Sequence, residues 1–178
     1  ERPQQYNIGP HGQIVITANV KVSSTENGII FGSIVYDIAG AVQSERRNCV
    51  VLNEIHIDVI DYIAPGQCQD SEFRAMWADF EWENKIAVNA AFSDLQAFLT
   101  HLIKSTNMRP LTSHEHMPDD CGFLSVNLYA RSVFGEDALA NVSVEQIGEK
   151  IVGFVRIRSK TQGIAISIGD KISQSLKK

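Results

Sequence analysis

His114-Glu115-His116, followed by Asp119, Asp120 and Cys121, is the densest set of metal-ligating side chains in the 178 residues. Two imidazoles one residue apart can share a zinc ion when a strand holds both rings on one side. These lie instead in a proline-containing loop with no second ligand pair elsewhere. A solvated loop is the expected reading, with no metal and no cofactor. Cys49, Cys68 and Cys121 are the candidate thiol nucleophiles, and each would need a base and an oxyanion site around it. Cys49 and Cys121 abut predicted strands and read as small core residues. Glu54, His56 and Asp58 share one strand face, where proton transfer could be drawn, but a half-exposed strand requires the same alternation. No glycine-rich phosphate loop and no nucleophile-elbow motif occurs. Asn141-Val142-Ser143 matches a glycosylation sequon by chance, since Val142 reads as a core strand residue. No catalytic residue is predicted.

What remains is chemistry of recognition. Asp70 to Lys85, DSEFRAMWADFEWENK, holds both tryptophans, Trp77 and Trp82. Phe73, Met76, Trp77 and Phe80 fall at i, i+3, i+4 and i+7, so one helical face carries all four. Further on, Arg156 and Arg158 project to one face of a strand beside Phe154. Aromatic and arginine side chains together are the composition of protein-docking hot spots. Candidate partner-binding residues are therefore Phe73, Trp77, Arg156 and Arg158.

The elements that must position them follow from periodicity. Gln13 to Val22 alternates and predicts a strand; Ile29 to Asp37 predicts a second, joined to it at an Asn27-Gly28 turn. A lone hairpin is marginal in water, so these strands are expected to belong to a larger sheet. Ala39 to Asn48 is a polar connector. Val50 to Ile60 predicts one long strand, stopped at Ala64-Pro65-Gly66. The aromatic helix begins at Asp70, capped by Asp70 or Ser71. Trp82 to Asn89 is a strand, and Ser93 to Ile103 a helix with Ser93 and Gln96 at capping-box spacing. Gly122 to Phe134, Ala138 to Glu145 and Ile151 to Arg158 are strands. Gln162 to Leu176 fits either a strand or a helix. Short connections favour antiparallel neighbours and an α+β fold.

With 16 basic against 21 acidic residues the net charge is −5, so bulk charge draws the molecule neither to nucleic acid nor to anionic lipid. No apolar run approaches the roughly 20 residues of a membrane span. Three widely spaced cysteines fit reduced thiols in a cytosolic setting. The N-terminus has neither signal-peptide pattern nor initiating methionine, which suggests a piece of a longer chain.

Long runs of the chain, among them ANVKVSSTENGIIFGSIVYDI, EFRAMWADFEWENK, LYARSVFGEDALANVSVE and RIRSKTQGIAISIGDKI, resemble the C-terminal appendages of coatomer beta subunits (beta-COP), part of the COPI vesicle coat. The resemblance covers nearly the whole chain. It implies an antiparallel-sheet platform flanked by helices over residues 47–178. Residues 1–46 would be the last, incomplete strands of an immunoglobulin-like β-sandwich, and the final segment a helix. It implies no enzyme but an interaction module in Golgi-to-ER and intra-Golgi transport, cytoplasmic and peripheral to the Golgi membrane and its coated vesicles. Expected partners are other coatomer subunits and accessory or regulatory proteins, with membrane association only through the coat and no nucleic acid. Related appendages bind short aromatic-containing motifs beside a platform tryptophan, and Trp77 with Phe73 resembles that site. Met76 and Phe80 should then be core and Trp77 at a groove edge. The alternative is a purely structural coat module without a motif pocket.

Overall fold

The computed structural model describes residues 4–24, 28–43, 47–112 and 121–177. The Asn27-Gly28 turn and the His114–Asp120 loop fall wholly or partly outside the described residues. In chain order the elements are β1 (Gly28–Ile30), β2 (Ser33–Asp37), β3 (Arg47–Val51), β4 (Ile55–Ile57), α1 (Val59–Tyr62), β5 (Ile63–Pro65) and α2 (Asp70–Asp79). There follow β6 (Trp82–Ala91), α3 (Leu95–Thr106), β7 (Arg109–Pro110), β8 (Phe123–Ser132), β9 (Asp137–Ile147), β10 (Lys150–Ser159) and α4 (Gln162–Ser175). The fold is α+β, with antiparallel sheets and flanking helices, as expected.

The principal sheet runs in the order β5-β8-β9-β10-β6, with β7 also paired to β8, and all its pairings are antiparallel. Strand alternation gives it two faces. On one, Val126 and Leu128 of β8, Ala140 and Val142 of β9, Val155 and Ile157 of β10 and Val88 of β6 are buried. Helices α1, α3 and α4 cover that face through Val59, Tyr62, Phe98, Leu99, Leu102, Ile164, Ile168 and Ile172. Each such side chain contributes about 1.5–3 kcal/mol on burial, so this layer dominates stability. On the other face a smaller cluster joins Phe73 of α2 and Phe80, the residue that ends that helix, to Tyr129 of β8 and Leu139 of β9. Among the described elements, α2 alone packs its apolar face there.

Several predicted boundaries shift for identifiable reasons. Gln13–Val22 is not a strand: no described strand lies beside it, and alternation without a partner supplies no ladder. Its Val22 nonetheless packs against the main core. The partners of Ile29–Asp37 are downstream, β2 with β3 and β1 with β4, so the predicted upstream hairpin is incorrect. Val50–Ile60 is not one strand but β3, a break, β4 and the start of α1. Cys49 is exposed and Cys121 only half-buried, contrary to the core reading; among the described residues nothing covers β3 at Cys49, and Cys121 lies before the first residue of β8. Helix α3 is capped by Asp94, which accepts from the Ala97 N–H at 2.6 Å, and not by Ser93. Helix α2 is preceded by Gln69, whose N–H donates to Glu72 at 2.8 Å; neither Asp70 nor Ser71 is its cap. The ambiguous last segment is helical, and Lys171 on α4 pairs with Asp58 at the start of α1.

Gly153 sits in the middle of β10 at φ +143°, and a Cβ there would lie 2.3 Å from the Ser143 carbonyl oxygen on β9. Backbone cannot yield as a flexible side chain can. Gly153→Ala should therefore destabilise the protein by about 2 to 4 kcal/mol, combining strained φ and overpacking. Urea unfolding checks this, and an unchanged midpoint would exclude a tight β9–β10 approach there.

Candidate functional site

The aromatic helix and the basic strand end, separate in sequence, meet on the less-covered face of the sheet. The capping of α2 at Gln69 fixes where its apolar stripe falls. Phe73 is 3% exposed and Phe80 7%, both seated on the sheet. Trp77, one turn beyond Phe73, is half-buried and stacks on it with ring centroids 5.6 Å apart and planes 20° from parallel. Met76 is half-buried, not the core residue predicted: it packs against the small cluster of Phe73, Phe80, Tyr129 and Leu139 from its margin. Trp82 is 46% exposed at the first position of β6.

The arginines arrive through register. In β10, Arg158 is directly across from Glu83 of β6 and Leu139 of β9, and Arg156 from Lys85 and Asn141. Arg156 faces a like charge, which would repel if both side chains stood upright. Each leans to a diagonal neighbour instead. Lys85 places its ammonium 3.9 Å from the Phe154 ring centroid, and Arg156 reaches Glu83 with Nε and Nη2 at 3.1 and 3.0 Å. Arg158 donates to the same carboxylate from Nε at 2.6 Å and from Nη1 to the Trp77 carbonyl. Both guanidinium carbons also lie over the Trp77 ring, at 5.7 Å for Arg156 and 5.1 Å for Arg158. The indole is thus in contact with one aromatic ring and two cations. Cation–π contacts contribute about 0.5–1 kcal/mol each when exposed and more when desolvated.

All four predicted binding residues therefore form one cluster, but in different roles. Trp77, Arg156 and Arg158 reach the surface. Phe73 is buried and can act only by supporting the indole. Glu83 is the member that sequence reasoning missed. The signal was its place in the strand following the tryptophan helix, but alternation says only that it faces outward, not that β6 pairs with β10 seventy-odd residues on. Two guanidiniums, Arg156's first, hold the Glu83 carboxyl below its ordinary value of 4.5 against the opposing effect of burial.

Beneath α2, the Tyr129 hydroxyl donates to Asp137 at 2.6 Å. Burial above all, then this bond, raises the hydroxyl's pKa well above its usual range, so it stays neutral. Cys68 packs beside this cluster, and burial followed by the Glu72 charge pushes its thiol up, opposite to the shift an activated nucleophile needs. Asn141 hydrogen-bonds to Asn127 and accepts from Ser143, engaging the side chain of the sequon match within the sheet face. Among the described residues no group of three or more His, Cys, Asp and Glu is placed to hold a metal. No helix among them is long and apolar enough to cross a membrane. The arrangement offers hydrogen-bond donors, positive charge and an aromatic edge, which are tools of binding.

Residues 46–172 match the family described as coatomer beta subunit appendage platform, and residues 1–38 that described as coatomer beta C-terminal region. The chain is 56% identical to a coatomer subunit beta of Rattus norvegicus, an alignment covering 100% of this chain and 19% of that protein. It is 57% identical to coatomer subunit beta-1 of Arabidopsis thaliana over 97% of the chain and 18% of the relative. For coatomer subunit beta of Drosophila melanogaster the identity is 55%, over 99% and 18%. The chain thus spans under a fifth of the length of these relatives.

A depressed glutamate stabilises the fold above its ordinary pKa, and that contribution is lost as pH falls below it. With Trp82→Phe leaving Trp77 as the sole indole, fluorescence should shift as pH drops below about 4.5. Adding Glu83→Gln should remove that part of the transition. A transition identical in both backgrounds would show that Glu83 does not hold Arg156 on the ring.

Proposed function

The chain belongs to the coatomer beta subunit appendage family, and from that premise we propose that it is a non-enzymatic protein-docking module of the COPI vesicle coat. The observation that carries this reading is the cluster of Trp77, Arg156 and Arg158 on the sheet face that α2 leaves partly open. Aromatic and arginine anchors, held rigid by Phe73 behind and Glu83 beside them, are what a docking hot spot needs. Rigid anchors lose little side-chain entropy when a partner arrives.

On this reading the partners are accessory or regulatory proteins bound at the cluster and other coatomer subunits bound elsewhere. The module works on the cytosolic face of Golgi membranes and COPI vesicles in Golgi-to-ER and intra-Golgi transport. It reaches the membrane only through the coat. Residues 1–46 would close an immunoglobulin-like sandwich, which accords with the exposed Ile34, Val35 and Tyr36 of β2. The polarity of the cluster and the raised Cys68 thiol both favour binding over catalysis.

Trp77→Ala and Arg158→Glu, each in the full subunit, should weaken capture of cytosolic accessory proteins by about 2 kcal/mol, roughly thirtyfold, while coat assembly persists. A quantitative pulldown beside a coat-reconstitution assay measures both. Retained capture with failed assembly would make the appendage a structural coat contact instead.

A further inference from the structure

We propose that Arg156 and Arg158 form a carboxylate receptor that Glu83 fills in the free protein, and that an acidic partner segment binds along β10 by displacing Glu83. The inference rests on reading the Trp77 face as a docking surface, and adds to it the ligand's chemistry and a built-in competitor.

Glu83 accepts three N–H donors, from Arg156 Nε and Nη2 and from Arg158 Nε. Two parallel bonds from one guanidinium are the geometry by which arginine recognises any carboxylate. Glu83 is not the receptor's only tether. Arg158 is also tied to the Trp77 carbonyl, and both arginines rest on the indole. Arg158 therefore keeps its place when the glutamate departs, while Arg156 exchanges one carboxylate for another. The Arg156 side chain is 42% exposed and that of Glu83 26%, so the bridge is reachable from solvent. Ion pairs of this exposure contribute little to stability, and exchanging one carboxylate for another costs little.

The surroundings specify the incoming group. Lys85 stands across from Arg156, and with Glu83 swung away three cations remain on this stretch of a chain whose net charge is −5. The positive field is thus local, and its counter-ion is an anion of carboxylate shape. The strip continues along β10 to Phe154, which is 44% exposed beneath the Lys85 ammonium. Four residues of extended strand separate Phe154 from Arg158, about 13 Å. An extended peptide with acidic residues between apolar ones fits that spacing, its carboxylates on the arginines and its apolar groups at Phe154 and the indole edge.

The test uses a fluorescent peptide of alternating aspartate and phenylalanine, with an asparagine-for-aspartate control, titrated onto the chain. Glu83→Gln should bind the acidic peptide about fivefold more tightly than wild type, Arg158→Gln more weakly, and the control peptide should bind neither. Nitrogen-15 spectra of the arginine side chains should show the Arg156 and Arg158 Nε–H signals moving as peptide is added. If Glu83→Gln binds no better than wild type while Arg158→Gln still loses affinity, the competitor role is overturned and the docking face stands. If no form binds, or Trp77→Ala and Arg158→Gln bind as wild type does, both readings fall. Should Glu83→Gln lose its folded circular-dichroism spectrum, Glu83→Asp, too short to span both arginines, must show the same gain.

Discussion

Ten consecutive register pairs hold β10 against β9 on one side and β6 on the other, and the rest of the platform depends on that registration. A strand alternates its faces with a period of two, so a slip of one residue would drive Phe154, Arg156 and Arg158 beneath α3 and α4 and bring Val155 and Ile157 into water. Burying even one guanidinium without a partner costs several kcal/mol. The three-helix layer thus selects the register, and the register delivers two arginines and a glutamate to the opposite face. Core and surface cluster are two results of one alignment.

The opposite face is organised by what covers it. Phe73 and Phe80 seat α2 over Tyr129 and Leu139, at one end of the sheet only. Beyond the helix the outward side chains turn polar: Asn127, Asn141 and Ser143 satisfy one another, and Lys85 shelters Phe154. Trp77 stands at the border between these zones. Its ring belongs to the apolar cluster through Phe73 and to the charged one through the guanidiniums. That double membership explains a half-buried tryptophan where the helical pattern alone predicts either core or groove.

Much of this was legible in the sequence because periodicity reports on faces. Strands β6, β8, β9 and β10 and helices α2 and α3 declare themselves by alternation or by a 3.6-residue stripe. The four docking candidates were found by composition, Trp and Phe on one face and Arg beside Phe on another. What periodicity cannot report is which elements become neighbours. Glu83 was invisible as a partner of Arg156 because nothing in its surroundings announces that β6 lies next to β10. Gln13–Val22 failed for the converse reason: a perfect alternation makes a strand only where another backbone accepts its hydrogen bonds. Cys49 and Met76 were misplaced because an apolar residue is buried only where a covering layer exists, and layers are set by topology.

The order of the strands also bears on how the molecule forms. Strands β8, β9 and β10 follow one another as a meander joined by tight turns at Gly135 and Gly148, both at positive φ. Such local pairings close early, because little chain entropy is lost in each. Strand β6 comes from far upstream and must find the free edge of β10 across an intervening helix and three strands. Glu83 therefore meets Arg156 and Arg158 only when that long-range ladder zips. The salt-bridged cluster is a signature of that closure, and a nascent chain would present its arginines unmasked until that edge is closed.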